Sequence, residues 1–333
     1  MQCRLMAVTY YDSEDAGAPQ FTFSGTTSNI TEIFDAILVN GYGSKPGLGW
    51  TKEMVSEIEG SDRTVYKNKS ASQEDMYLLV ETNPANGAAF RLQIAESVTS
   101  PEAYEGYSAY AACYWQYTPR VWKAVGDERT LILFLHAGGL ENQSVGNAIF
   151  RSPLTLYVGD VDTMNMDIPR GWALLAPSMT KGLLSASTSN GAYAGTLVGA
   201  DQSLISYSRP RVMTSLPGIN WSEDDQAVIC SSMHQAHGSV NEKNGFPTKD
   251  ISEFEQNAIA RVPWFLMIEQ KFMFRLRGVF NIFPWLIQNG SDSKLHHLKP
   301  LTVDGITYRG TTYKGNRYGN FPMTAYIQTS GDW

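Results

Sequence analysis

Cys230, His234 and His237 are the residues whose types and spacing come closest to a metal site. A thiolate and two imidazoles within one turn or loop can converge on zinc, which takes sulfur and nitrogen ligands in a tetrahedral set. No fourth ligand can be assigned, and nothing places His296 and His297 nearby; if they lie in a strand, their side chains point to opposite faces. The three are read as polar-loop residues, with no metal and no cofactor expected. A second spacing, Asp160-x-Asp162 with Asn165 and Asp167, offers oxygen ligands at alternate positions but lacks the glycine and terminal glutamate of a calcium loop. It reads as an acidic turn between strands.

Covalent chemistry has less support. There is no Gly-x-Ser-x-Gly elbow and no Cys/His signature, and the five histidines carry no motif context. Gly41, Gly43, Gly47 and Gly49 follow a predicted helix and precede a strand, the reverse of the order a phosphate-cradling loop requires. Glycoside hydrolysis needs only two carboxylates, but no motif selects a pair among 33 acidic residues. A non-enzymatic protein is expected. The aromatic cluster Tyr104, Tyr107, Tyr110, Tyr114, Trp115 and Tyr117, together with Trp333, forms the candidate interaction surface. Such rings stack on sugars or on partner proteins, and equally serve as the core or rim of a β-sandwich.

Composition narrows the classes further. A net charge of −7 with no lysine- or arginine-rich run argues against direct nucleic-acid contact, which demands a cationic patch. The most apolar window, residues 262–287, is interrupted by Glu269, Lys271, Arg275 and Arg277, so no membrane span is expected. Cys3, Cys113 and Cys230 are odd in number and far apart, which excludes a disulfide framework. The N-terminus has no apolar signal region, so the mature chain is expected to begin near Met1, with its Asn-x-Ser/Thr sequons as chance matches. At 333 residues two core regions are expected rather than one.

The elements that must position these residues are mostly strands. One helix is predicted over residues 29–39, because Ile30, Ile33, Phe34, Ile37 and Leu38 form a continuous apolar stripe. Asn29 and Glu32 have capping-box spacing, and Asn40-Gly41 marks the stop. Strands are predicted at Thr51–Ile58, Arg63–Lys67, Asp75–Glu81, Ala88–Ala95, Leu154–Val158, Trp172–Ala176, Ile306–Arg309 and Met323–Gln328. Val121–Val125 and Leu131–Leu135 form the best hairpin, turning at Gly126-Asp127, and the second of them is apolar on both faces, so it belongs inside a sheet. Ser100–Gly106 is predicted as one helical turn, Trp264–Arg277 as regular structure. Periodicity fails from Ser178 to Arg261, where only Ala227–Ser231 stands out. The fold class is therefore mainly β: an antiparallel sandwich or jelly-roll-like arrangement with one short amphipathic helix and a loop-rich middle. The expected organisation is a strand or arm over residues 1–27, a β domain with the packed helix over 28–177, a loop-rich insertion over 178–262 and a β segment over 263–333 completing a second sheet.

Several segments also carry a resemblance. The run from Ile33 to Lys52, IFDAILVNGYGSKPGLGWTK, with Trp122–Arg129 (WKAVGDER), Tyr157–Asp160, Arg277-Gly278 before Phe283-Pro284, and the ending Ala325–Trp333, resembles a family of tailed-bacteriophage virion proteins of unknown detailed role. Residues 179–262 lie outside the resemblance. It implies a non-enzymatic structural component of the virion, multimeric, in the tail or baseplate or as a capsid decoration, made in the host cytoplasm. Its partners would be copies of itself and neighbouring virion proteins. The alternative is a glycan-binding receptor-recognition domain using the aromatic cluster on a host surface glycan.

Overall fold

The computed structural model describes residues 7–24, 27–58, 61–69, 76–82, 90–107, 111–113, 121–136, 154–164, 171–175, 211–214, 227–230, 260–268, 271–283, 300–313 and 323–333. In chain order the first strands are β1 (Thr9–Asp12), β2 (Phe23–Ser24) and β3 (Thr27–Ser28), followed by helix α1 (Ile30–Phe34), which continues as a π-helical turn over Asp35–Asn40. Then come β4 (Thr51–Ile58), β5 (Ser61–Lys67), β6 (Tyr77–Thr82), β7 (Phe90–Ser100), β8 (Ala103–Tyr107) and β9 (Ala111–Cys113). The middle of the chain supplies β10 (Val121–Gly126), β11 (Thr130–His136), β12 (Leu154–Asp160), β13 (Asp162–Thr163), β14 (Gly171–Leu175), β15 (Arg211–Thr214) and β16 (Ala227–Cys230). The last are β17 (Ala260–Ile268), β18 (Lys271–Phe283), β19 (Pro300–Val303), β20 (Ile306–Tyr313) and β21 (Met323–Gln328).

The protein is mainly β, antiparallel and sandwich-like. Every strand pair among the described residues is antiparallel. An N-terminal sheet runs β4-β5-β6-β7-β8 with β9 also on β7, a central sheet runs β1-β10-β11-β12-β14-β15, and a C-terminal sheet runs β16-β17-β18-β21-β20-β19 with β13 on β18. The central and N-terminal sheets close on one core cluster with the helix. Ile30, Ile33, Phe34, Ile37 and Leu38 meet Tyr66, Leu78 and Val80 from one sheet and Trp122, Leu131, Leu133 and Leu135 from the other. The other face of the central sheet carries Val125, Ile132, Phe134 and Tyr157, all buried, and is approached by the C-terminal sheet, whose Phe274 ring leaves no room for a side chain at Gly171. β11 is thus buried on both faces and interior to its sheet.

The predicted helix is present but is not α-helical throughout, and its expected capping box is not formed: Asn29 makes no side-chain cap. Its amide group instead donates to Gln20 O (2.9 Å) and its carbonyl accepts from Thr22 N (2.7 Å), so the residue pins the incoming chain. At the other end Leu48 N donates to Ile37 O (2.9 Å) and Trp50 N to Leu38 O (3.0 Å). The returning glycine-rich segment satisfies carbonyls that a helix end leaves open. Ser100–Gly106 is not a helical turn; the chain reverses at Pro101-Glu102 and Ala103–Tyr107 pairs with β7. Pairing to a preformed strand gives each amide a partner that a single isolated turn cannot supply. Trp264–Arg277 resolves into two strands, β17 and β18, joined as a hairpin.

Candidate functional site

Asp127 begins the tight turn between β10 and β11. Its Oδ1 accepts from Arg129 N and Thr130 N, each at 2.9 Å, while its own N donates to Thr130 O at 3.0 Å. A carboxylate bonded to two following amides is the local chemistry that makes aspartate a turn residue. The same carboxylate reaches across to β18. Arg277 Nη1 donates to Oδ1 (3.0 Å) and Nη2 to Oδ2 (2.6 Å), and Nη1 also donates to Thr130 Oγ1 (2.8 Å). The two side chains are 2% and 1% exposed. Burial pulls the Arg277 guanidinium down, but its bonds and attraction to Asp127 more than offset this, leaving it raised above its ordinary value.

A second pair lies beside the first. Asp160, at the end of β12, accepts from Arg129 Nε (2.9 Å) and from Asn68 Nδ2 (2.9 Å). Asn68 follows β5, donates also to Arg129 O (2.9 Å) and accepts from Met76 N (2.8 Å). Burial pushes the Asp160 carboxyl up, with Arg129 and Asn68 opposing. Tyr157 OH donates to Asp160 O (2.7 Å) and accepts from Arg277 N (3.2 Å), closing the network between the central and C-terminal sheets. Burial raises this phenol above its ordinary value, with Arg277 opposing.

The chain's last residues lie against this junction. The Trp333 ring lies 5.9 Å from the Arg277 guanidinium carbon, and its Nε1 donates to Gln328 O at 3.1 Å. Gly278 has φ +69°, and a Cβ there would fall 2.2 Å from the Trp333 ring, so both the backbone and the space require glycine. Val8 N donates to Gly331 O at 2.9 Å, which ties the start of the described chain to its end. Next to this tie, Tyr10 has Arg309 of β20 at 4.4 Å and Lys45 at 5.7 Å from its ring centre. Lys45 and Tyr42 both hold Asp15, and Lys123 holds Asp12.

The residues singled out by spacing are distributed differently. Asp160 binds Arg129 and Asn68, and Asp162 binds Arg275 Nε at 3.1 Å, so the two described carboxylates of the calcium-like spacing are each paired with a guanidinium group. Asn165 and Asp167 lie outside the described residues. Cys230 ends β16 opposite Phe265, while His234 and His237 lie outside the described residues. Of the aromatic cluster, Tyr104 is half-buried beneath Arg63, whose guanidinium carbon is 5.6 Å from its ring, and Trp333 is engaged as above. Tyr107 lies in β8; Tyr110, Tyr114, Trp115 and Tyr117 lie outside the described residues.

The junction therefore joins Trp122–Arg129, Tyr157–Asp160, Arg277-Gly278 and Trp333, segments far apart in sequence. Asp127 and Arg277 were not singled out as interacting partners, although an arginine in the apolar run FRLRGVF was a usable signal, since a buried charge requires a partner. Chemically the arrangement is a clamp. Each of its carboxylates is matched to a guanidinium, and its hydroxyls bridge backbone groups of neighbouring strands. The chain matches no protein-family model and no curated protein sequence.

Proposed function

We propose that this chain is a non-enzymatic structural subunit of a tailed-bacteriophage particle, present in many copies in the tail or baseplate or as a capsid decoration. The observation that carries the reading is the convergence of the segments with virion-protein resemblance on one buried clamp. Asn68, Asp127, Asp160 and Arg277 draw three sheets together through groups that are almost wholly withdrawn from water. Ion pairs so placed do little for net stability compared with apolar packing, but the bidentate Arg277–Asp127 pair adds geometric specificity, which suits a subunit that must repeat identically. The partners are copies of the chain and neighbouring virion proteins.

The test is a copy count and a position from imaging of purified particles, with the chain identified by mass spectrometry. Many copies in a symmetric array are expected. Absence from particles would overturn the reading, and a few copies confined to the distal tip would favour receptor recognition instead.

A further inference from the structure

Among the described residues, β7 beyond Ala95 pairs only with β8, so Glu96–Tyr107 is a two-stranded ribbon leaving the N-terminal sheet. Its contacts show that it folds back over that sheet's outer face. Val98 and Tyr104 pack on Val65, Leu79 and Ala95, and Arg63 Nη1 of β5 donates to Pro101 O at 2.7 Å in the ribbon's turn. Ser56 of β4 bonds Glu102 at the same tip. The bend lies where Gly106 stands opposite Glu96. Gly106 has φ +57°, a left-handed conformation that glycine adopts without strain.

The ribbon is weakly held compared with what it covers. Val65 and Leu79 beneath it and Pro101 at its turn are buried, whereas Val98 and Tyr104 are only half-buried and Glu96, Ser97, Thr99, Glu102, Ala103 and Glu105 face water. A two-stranded ribbon with so little apolar burial is marginal by itself and belongs to the parts of a fold that open first. The seat it leaves is complete: Arg63 and Arg91 remain paired with Glu81 beside the apolar strip.

We propose that Glu96–Tyr107 is an exchangeable arm, which swings about Glu96 and Gly106 and lies on the Val65–Leu79 seat of a neighbouring copy in the multimer. This rests on the multimeric reading above. The occupant is a second copy because the seat's shape and hydrogen-bonding groups already match this ribbon, and exchange reuses the same contacts between chains.

Copies bearing Ser56→Cys and one tag are co-expressed with copies bearing Glu102→Cys and another tag. The multimers are purified and treated with a short bis-thiol cross-linker. Conjugates carrying both tags, above the level from unsubstituted chains, are expected. Multimers that yield no such conjugate, while the double variant is bridged within single chains, would overturn exchange and leave the multimeric reading intact. Chains that never multimerise and never enter particles would overturn both. Hydrogen exchange on the unsubstituted protein supplies an independent check. Amides of residues 96–107 should exchange together, at least tenfold faster than those of β6, and Arg63→Ala should accelerate them further; protection equal to β6 would show that no hinged unit exists.

Discussion

At the residue scale the strongest dependence is between Asp127 and Arg277. Removing one partner of a buried pair leaves an uncompensated charge, which costs about 3–5 kcal/mol. Arg277→Met is expected to destabilise by that amount in a denaturant titration, and adding Asp127→Asn should recover part of the loss, because it removes the stranded charge while the amide oxygen still accepts from Arg129 N and Thr130 N. A loss under about 1 kcal/mol for Arg277→Met would mean the pair is replaceable by water. Asp15 provides the pH dependence. Burial raises its carboxyl, but bonds from Lys45 and Tyr42 outweigh this and hold it below its ordinary value. A depressed carboxylate contributes stability that is present above the unfolded pKa, about 4, and is lost as pH falls through the lower folded value. Stability should therefore decline below about pH 4, and Asp15→Asn should flatten that part of the curve.

Elements are held by what returns to them. The helix is short and partly π-helical, so propensity contributes little, and its apolar stripe in the shared core carries it. Phe34 is fully buried, and Phe34→Ala should cost about 3–5 kcal/mol through lost transfer energy and a residual cavity. A change below about 1 kcal/mol would show the helix to be peripheral. β21 lies between β18 and β20, so deleting residues 323–333 would remove an interior strand and cannot isolate the role of the tail. A double-mutant cycle between Gly278→Ala and Trp333→Ala can. If Trp333 occupies the space above Gly278, the alanine at 278 should be better tolerated once the indole is gone. Strict additivity would show that only backbone strain acts there.

At the scale of the molecule, the described sheets meet at one junction, and the start of the described chain is tied to its last residues through Val8 and Gly331. Cooperative unfolding should follow, with far-ultraviolet and aromatic signals falling together for the described sheets. In Arg277→Met the C-terminal sheet loses its anchor to the Asp127 turn, and the two signals should separate. Coincident transitions in that variant would show that apolar packing alone couples the sheets.

Periodicity and turn chemistry were sufficient for the local elements. The stripe Ile30–Leu38 and the Gly126-Asp127 turn each follow from interactions between near neighbours, and each stands where the residues place it. The doubly apolar Leu131–Leu135 likewise specified an interior strand. What failed locally was settled by distant partners: Asn29 left its capping role for Gln20 and Thr22, and Ser100–Gly106 took up β7 instead of a helical turn. The junction belongs wholly to tertiary structure. Asp127 and Arg277 are 150 positions apart, and no periodicity carries information over that distance. Their meeting is decided by the packing of the C-terminal sheet on the central one, since only burial of both charges together avoids leaving either unpaired in a medium that cannot solvate it.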